Sequence, residues 1–356
     1  MLFLLASGIA GWIWWQNRPP QTQPAPPPIA KPPVLTNPPV IQVRTYPPPA
    51  PQTNLPPPVV LPSTPPPSPE SFPRPPRDVF EAQVALARLG ISAGSIDGVM
   101  GSQTRAALLA FQRHHGLHET LELDPLTRAR LLLLAPPITN CIVTAENLAR
   151  LQPLSPTWLG KSQQAALDYE SILELVAELG QASPNFIRRI NPGVNWTNVL
   201  AGTELKIPAV EYPRAARAGF LVISLGEKTL EVFDAGTNLL THFPCSIAAR
   251  VEKRPEGELS VTAIAESPNY TFNPEVFPES AEARALGRKL ILPPGPNNPV
   301  GTAWISLDKP GYGIHGTPAP EQVGRTESHG CFRLANWNAS HLAKLVWIGM
   351  PVYIEP

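Results

Sequence analysis

The chain has 356 residues, room for two or three domains. Its 28 basic and 28 acidic residues balance, which excludes the basic footprint of a nucleic-acid binder. Three cysteines are too few for a disulfide scaffold. An odd number in an exported chain leaves one thiol outside any disulfide, and Cys331 is the candidate. Cys141 and Cys245 read either as a disulfide or, the blander and favoured reading, as two small buried hydrophobes.

Residues 2–15 are almost wholly apolar and end in Trp12, Trp14 and Trp15, which suit a membrane–water boundary. The run is shorter than the ~20 residues of a spanning helix. It lacks a basic leading region and a convincing cleavage site. Residues 1–18 therefore read as an uncleaved membrane anchor, with a signal peptide as the alternative. Residues 19–77 are a proline-rich linker; 25 of the 48 prolines lie before residue 78. Proline fixes φ and removes the N–H donor, so this tract is expected as semi-rigid polyproline II, reaching at most roughly 180 Å. A ligand for an SH3-type domain is the rival reading.

At Asp78 the composition changes. VFEAQVALARLG places Val79, Ala82, Ala85, Leu86 and Leu89 on one helical face, with Gly90 as the stop. Asp97-Gly98 makes a turn, and Ser102 or Thr104 starts a second helix carrying Leu108, Phe111 and Gln112. A third helix begins near Asp124-Pro125. His114, His115 and His118 read as the exposed end of a helix. Residues 78–135 resemble the small three-helix peptidoglycan-binding domain, through Leu89-Gly90, Asp97-Gly98, Gly101, Thr104 and Phe111-Gln112. After a connector, 136–164, residues 165–210 show two short helical periods and a closing strand, ELKIP. They resemble a degenerate LysM glycan-binding module, through Leu175, Ala177, Gly180, Ile190-Asn191-Pro192, Gly202 and Leu205-Lys206-Ile207-Pro208. Tyr169-Glu170-Ser171 stands where that family has a Gly-Asp-Thr type of turn, which puts glycan binding in doubt.

From 211 to 356 the pattern turns to strands. FLVISL, TLEVFDA, LLTHFPCSIA, GELSVTAI, KLIL, TAWISL and GYGIHG are split by turn residues, and a helix, a glycine stop and a last strand end the chain. The fold class is therefore multidomain α+β, with a mostly β, sandwich-like C-terminal domain.

Within that domain IHGTPAPEQVGRTESHGCFRL gathers His315, His329, Cys331 and Arg333. Neither histidine shares a helix face with the cysteine, so strands or loops must bring them together. A thiol becomes a nucleophile as the thiolate, and a neighbouring imidazole can take its proton. His315 is the candidate base, and the Gly316 carbonyl is the acceptor that orients it. His329 is a supporting or substrate-positioning residue. The N–H groups of Gly330 and Cys331 suit an oxyanion, since glycine permits the sharp turn. Arg333 can take a carboxylate bidentately, and Ser328 and Thr317 are further substrate-binding candidates. A zinc site on His315, His329 and Cys331 is the weaker rival, because Arg333 would stand beside the metal.

The phrase HGT…SHGCFRLANW, with SPNYTFNP and LPPGPNNPVGTAWI upstream, resembles the YkuD-type L,D-transpeptidase catalytic domain. Phe332 and Asn338 depart from that pattern, at positions usually aliphatic and acidic. The resemblance implies that Cys331 attacks the bond between a diamino acid and D-alanine in a peptidoglycan stem tetrapeptide, releases D-alanine and passes the acyl group to an amine. It implies no cofactor, peptidoglycan stem peptides and glycan as partners, and covalent inhibition by carbapenem-type β-lactams. With the anchor it implies the periplasm or cell envelope. A carboxypeptidase using water as acceptor and a non-catalytic wall tether are the alternatives.

Overall fold

The computed structural model describes residues 70–214, 217–277, 280–325 and 330–356. The anchor-like run and most of the proline-rich tract lie outside them, as do Ser328 and His329. No helix among the described residues is long and apolar enough to cross a membrane.

Three helices begin the described chain. In α1, Val79–Arg88, the Asp78 carboxylate accepts from the Glu81 N–H at 2.8 Å and so caps the first turn. Ala82, Ala85 and Leu86 are buried, but Leu89 lies past the last turn and is 44% exposed. Next come α2, Ser102–His114, and α3, Pro125–Arg130, which Asp124 caps. Two buried glutamines tie the loops to these helices. Gln83 donates to Asp97 and Thr104, both at 3.0 Å, and accepts from the Gly98 N–H at 2.8 Å. Gln112 donates to Thr127 at 2.9 Å and accepts from the Leu121 N–H at 3.0 Å. The described residues begin inside the tract read as linker. Arg74 exchanges two backbone hydrogen bonds with Leu133, at 3.0 and 2.8 Å, and its guanidinium pairs with Glu81.

The next elements are β1 (Ile138–Ile142), α4 (Ala145–Ala149), α5 (Trp158–Ser162), α6 (Ile172–Leu179), α7 (Pro184–Ile190) and β2 (Glu204–Pro208). β1 and β2 pair antiparallel, Ile138 opposite Pro208 and Ile142 opposite Glu204. The partner of ELKIP thus comes from the stretch read as connector. Asn191 clamps the strand end, donating to the Lys206 carbonyl at 2.8 Å and accepting its N–H at 2.7 Å. The helical elements do not form separate beads. Leu86, Phe111 and Leu131 share one core with Leu175, Val176, Phe186, Ile187 and Leu205. The Phe80 and Phe186 rings lie 4.8 Å apart across the join.

One curled sheet dominates the remainder. It contains β3 (Ala218–Ser224), β4 (Thr229–Asp234), β5 (Leu239–Pro244) and β6 (Gly257–Glu266). An excursion follows, with β7 (Tyr270–Phe272), α8 (Ala281–Leu286) and β8 (Leu290–Leu292). The chain returns through β9 (Ala303–Leu307), β10 (Gly313–His315) and β11 (Phe332–Arg333), and closes with α9 (Asn336–Leu345) and β12 (Pro351–Glu355). Strand order is β11-β10-β9-β6-β12-β3-β4-β5. β10–β11 and β12–β3 are parallel and the other neighbours antiparallel. The sheet bends until its edges meet. Ser246, just past β5, exchanges backbone hydrogen bonds with Arg333 of β11 at 2.9 and 3.0 Å. Its two halves therefore face each other across one core, which holds Leu221, Phe243, Ile305, Ile314, Phe332 and Val352.

A Cys141–Cys245 disulfide is excluded, since both thiols stand outside any disulfide. Cys141 is half-buried on β1, opposite Leu205, whereas Cys245 is fully buried in the core of the large sheet. Only Cys245 is a core residue.

Candidate active site

The closing of the sheet creates the site. β10 and β11 run parallel with Ile314 opposite Phe332 and His315 opposite Arg333. Ile314 and Phe332 are fully buried and point into the core. Side chains alternate across a strand, so His315, Arg333 and the flanking Cys331 share the other face. That face floors a cleft of about 410 Å³ lined by His315, Gly330, Cys331, Arg333, Trp304 and Gly311. Lys253, Trp158, Tyr270, Val276, Phe277, Pro299 and Val300 form its walls.

His315 is only 7% exposed. Its Nδ1 lies 2.6 Å from the Gly316 carbonyl oxygen. A carbonyl only accepts, so Nδ1 carries the proton and Nε2 holds the lone pair. Its ring stacks on Trp304, centroids 5.5 Å apart. Burial pushes the imidazole pKa down to about 4; the Gly316 carbonyl opposes the shift and the Arg333 charge adds to it. The Cys331 thiol donates to the Gly311 carbonyl at 3.5 Å. Burial raises its pKa, against the Gly313 backbone, which favours the thiolate. Both shifts disfavour the charged form of the group concerned.

Asn336, the first residue of α9, braces this region. Its Oδ1 accepts from the Thr302 N–H at 3.3 Å, and its Nδ2 donates to the Pro296 carbonyl at 3.0 Å and to Glu178 of α6 at 3.1 Å. A Cβ on Gly316 would lie 2.4 Å from Asn336 Oδ1, so the backbone that orients His315 can pass there only as glycine.

Of the residues singled out in the sequence, Cys331, His315, Gly330 and Arg333 share the cleft, and Gly316 stands behind the histidine. Thr317 is elsewhere: it is 5% exposed, its hydroxyl accepts from the Ala319 N–H at 3.3 Å, and it does not line the cleft. Its hydroxyl serves the turn after β10. Among the described residues no three His, Cys, Asp or Glu side chains cluster as metal ligands would.

Residues 218–354 match the family model "L,D-transpeptidase catalytic domain", from the first residue of β3 to the penultimate residue of β12, with His315 and Cys331 inside it. Residues 76–131 match the "Putative peptidoglycan binding domain" and span α1 to α3. "Putative L,D-transpeptidase YkuD" of Bacillus licheniformis is 28% identical over 184 residues, 52% of this chain and 93% of that protein. "Probable L,D-transpeptidase YbiS" of Escherichia coli K12 is 32% identical over 184 residues, 51% of this chain and 58% of that protein. The chain thus spans little more than half the length of that relative. A solved L,D-transpeptidase from Xylanimonas cellulosilytica is 15% identical with TM-score 0.34, covering 81% of this chain and 99% of that one. The domains place the protein in the cell envelope.

The walls of the cleft were the part hidden from sequence reading. Tyr270 and Trp304 sit inside the SPNYTFNP and GTAWI phrases, which carried a signal. Trp158 carried none, because it belongs to the inserted stretch between β1 and α6.

Proposed function

We propose that the protein is a peptidoglycan L,D-transpeptidase with Cys331 as nucleophile and His315 as its base. The observation that carries this reading is the seating of both residues on the paired ends of β10 and β11 in one cleft, with His315 Nδ1 fixed on the Gly316 carbonyl at 2.6 Å. The free Nε2 lone pair takes the thiol proton as sulfur attacks the carbonyl carbon between the stem's diamino acid and D-alanine. The negative oxygen that forms meets the N–H groups of Gly330 and Cys331. The C–N bond breaks, the proton passes from the imidazole to the departing D-alanine amine, and a thioester remains. An amine of a second stem attacks the thioester, gives up a proton to His315 and receives the acyl group; the thiol is restored. Burial pushes both groups toward their neutral forms, and in this reading proton transfer accompanies the attack.

Arg333 faces the same cleft as a cation suited to a stem carboxylate. His329 and Ser328 are placed by sequence adjacency alone as substrate-positioning residues. The peptidoglycan-binding domain, and the LysM-like β1–α6–α7–β2 unit fused to it, hold glycan or stem peptide close to the cleft and raise its local concentration. Residues 1–18 anchor the protein to the membrane, and the proline-rich tract spaces the folded part from it. A carbapenem acylates Cys331 as a substrate mimic.

The test is incubation of the full chain, wild type and Cys331→Ala, with a disaccharide-tetrapeptide, read by mass spectrometry. A cross-linked dimer that has lost D-alanine, absent with the variant, is the expected result. Tripeptide alone would assign a carboxypeptidase. No change in either sample would leave a wall tether.

A further inference from the structure

The stretch between α4 and α6 leaves the helical half and returns to it. At its base the Gln152 N–H donates to the Tyr169 carbonyl at 2.9 Å, and Arg150 pairs with Asp168 at 2.9 Å. Between these points the chain crosses to the β7–α8–β8 excursion of the transpeptidase domain. Leu167 is fully buried in a small core with Phe272, Ala283, Leu290 and Leu292. Its N–H donates to the Pro294 carbonyl and its carbonyl accepts from the Asn297 N–H, both at 2.9 Å. The Leu159 N–H donates to the Glu282 carboxylate at 3.0 Å. Gly295 lies so close that a Cβ there would meet the Leu167 carbonyl oxygen at 2.1 Å. The inserted loop is therefore fixed in place.

What it carries is Trp158. The indole stacks on Phe272 with centroids 4.4 Å apart and planes 17° apart, and Lys161 Nζ lies 5.6 Å from the ring centroid. The residue stays half-buried and lines the same cleft as Cys331, beside Tyr270 and Phe277. A tryptophan held this firmly loses little entropy when a ligand packs on it, which is what makes such side chains dominate binding surfaces. Lys253 and Arg333 add positive charge within the cleft.

We propose that Trp158 is a substrate-binding residue of the transpeptidase site, supplied by the wall-binding half of the chain. It forms the aromatic wall on which an extended, carboxylate-bearing stem peptide lies with its scissile bond at Cys331. The inference rests on the stem-peptide reading of the cleft and adds that the helical half completes the cleft. Full specificity then requires the α4–α6 loop and not the catalytic domain alone.

The test measures binding of a disaccharide-tetrapeptide by calorimetry to the full chain carrying Cys331→Ala, which prevents turnover. Adding Trp158→Ala is expected to raise Kd about tenfold, and Trp158→Phe to keep it within about threefold of the parent. Alkylation of Cys331 by iodoacetamide, a probe too small to need the wall, is followed in Trp158→Ala with the cysteine retained, and its rate is expected to change less than twofold. An unchanged Kd in Trp158→Ala overturns the proposal. So does a change in alkylation rate as large as the change in Kd, which would mean that the cleft had collapsed. A parent chain with no measurable binding would instead refute the stem-peptide reading, and the proposal with it.

Discussion

Asn336 donates its Nδ2 to the Glu178 carboxylate at 3.1 Å, and so joins α6 of the helical half to the first turn of α9 behind His315. Around the carboxylate stand Glu174, Tyr169 and Arg150, and burial is the dominant influence: it pushes the Glu178 pKa up to about 7. An acid whose pKa is raised by folding binds protons more tightly when folded. Stability from this group is therefore full below the ordinary value of 4.5 and is lost as pH rises through about 7. The loss is on the order of 3 kcal/mol. Glu178→Gln keeps the acceptor for Asn336 and removes the titration. Urea denaturation should find the variant more stable than wild type at pH 8 by about 1–3 kcal/mol, with little difference at pH 4.5. Equal differences at both pH values would remove this account.

Gly301 takes φ +62°, and a Cβ there would lie 2.0 Å from Asn336 Oδ1 and 2.6 Å from the Gly316 carbonyl carbon. Gly301→Ala adds backbone strain and pushes on the peptide that orients His315. A loss of about 2–4 kcal/mol in stability is expected. In protein that still folds, the transfer rate should fall at least tenfold, because the Gly316 carbonyl no longer holds His315 Nδ1 in place. Thermal melts and single-turnover acylation check the two parts separately.

A neutral thiol–imidazole pair has a kinetic signature. Burial raises the Cys331 pKa and lowers that of His315 to about 4. Alkylation of wild-type Cys331 by iodoacetamide should accelerate steadily as pH rises past 8, without a plateau between pH 5 and 8. A rate that levels off below pH 7 would reveal a thiolate–imidazolium pair and sink the concerted proton transfer. His315→Ala should slow acylation by the tetrapeptide by ~10²-fold or more.

The catalytic sheet leans on the helical half. The Ser92 N–H donates to the His242 carbonyl at 2.8 Å and the His242 N–H to the Gly90 carbonyl at 3.0 Å, covering the outer edge of β5. Residues 214–356 expressed alone would expose that edge and lose Leu167 from its small core. Such a fragment should melt at least 5 °C below the full chain and self-associate, as size-exclusion chromatography would show. A monomeric fragment with unchanged melting would mean that the two halves are thermodynamically independent.

Much of the catalytic floor was legible in the residues themselves. Cys331, His315, Gly330 and Arg333 carry chemistry in their side-chain type and their glycine punctuation, and alternation along β10 and β11 places three of them on one face. Asp124 and Pro125 marked a helix start, because capping is a local matter of side chain and backbone. Thr317 was less legible: a hydroxyl beside a histidine serves a turn or a ligand equally well, and the fold shows it accepting from the Ala319 N–H in the turn after β10.

By itself the sequence determined most of the helices and strands and their order, though not β1, α4 and α5 in the stretch read as connector, since such elements follow from interactions within a few residues. Tertiary structure decided the rest. It chose β1 as the partner of ELKIP, merged the helical modules into one core, closed the sheet at Ser246 and Arg333, and carried Trp158 to the cleft. These are contacts between residues tens to well over a hundred positions apart. They are fixed by which buried surfaces fit together, and no local pattern encodes that choice.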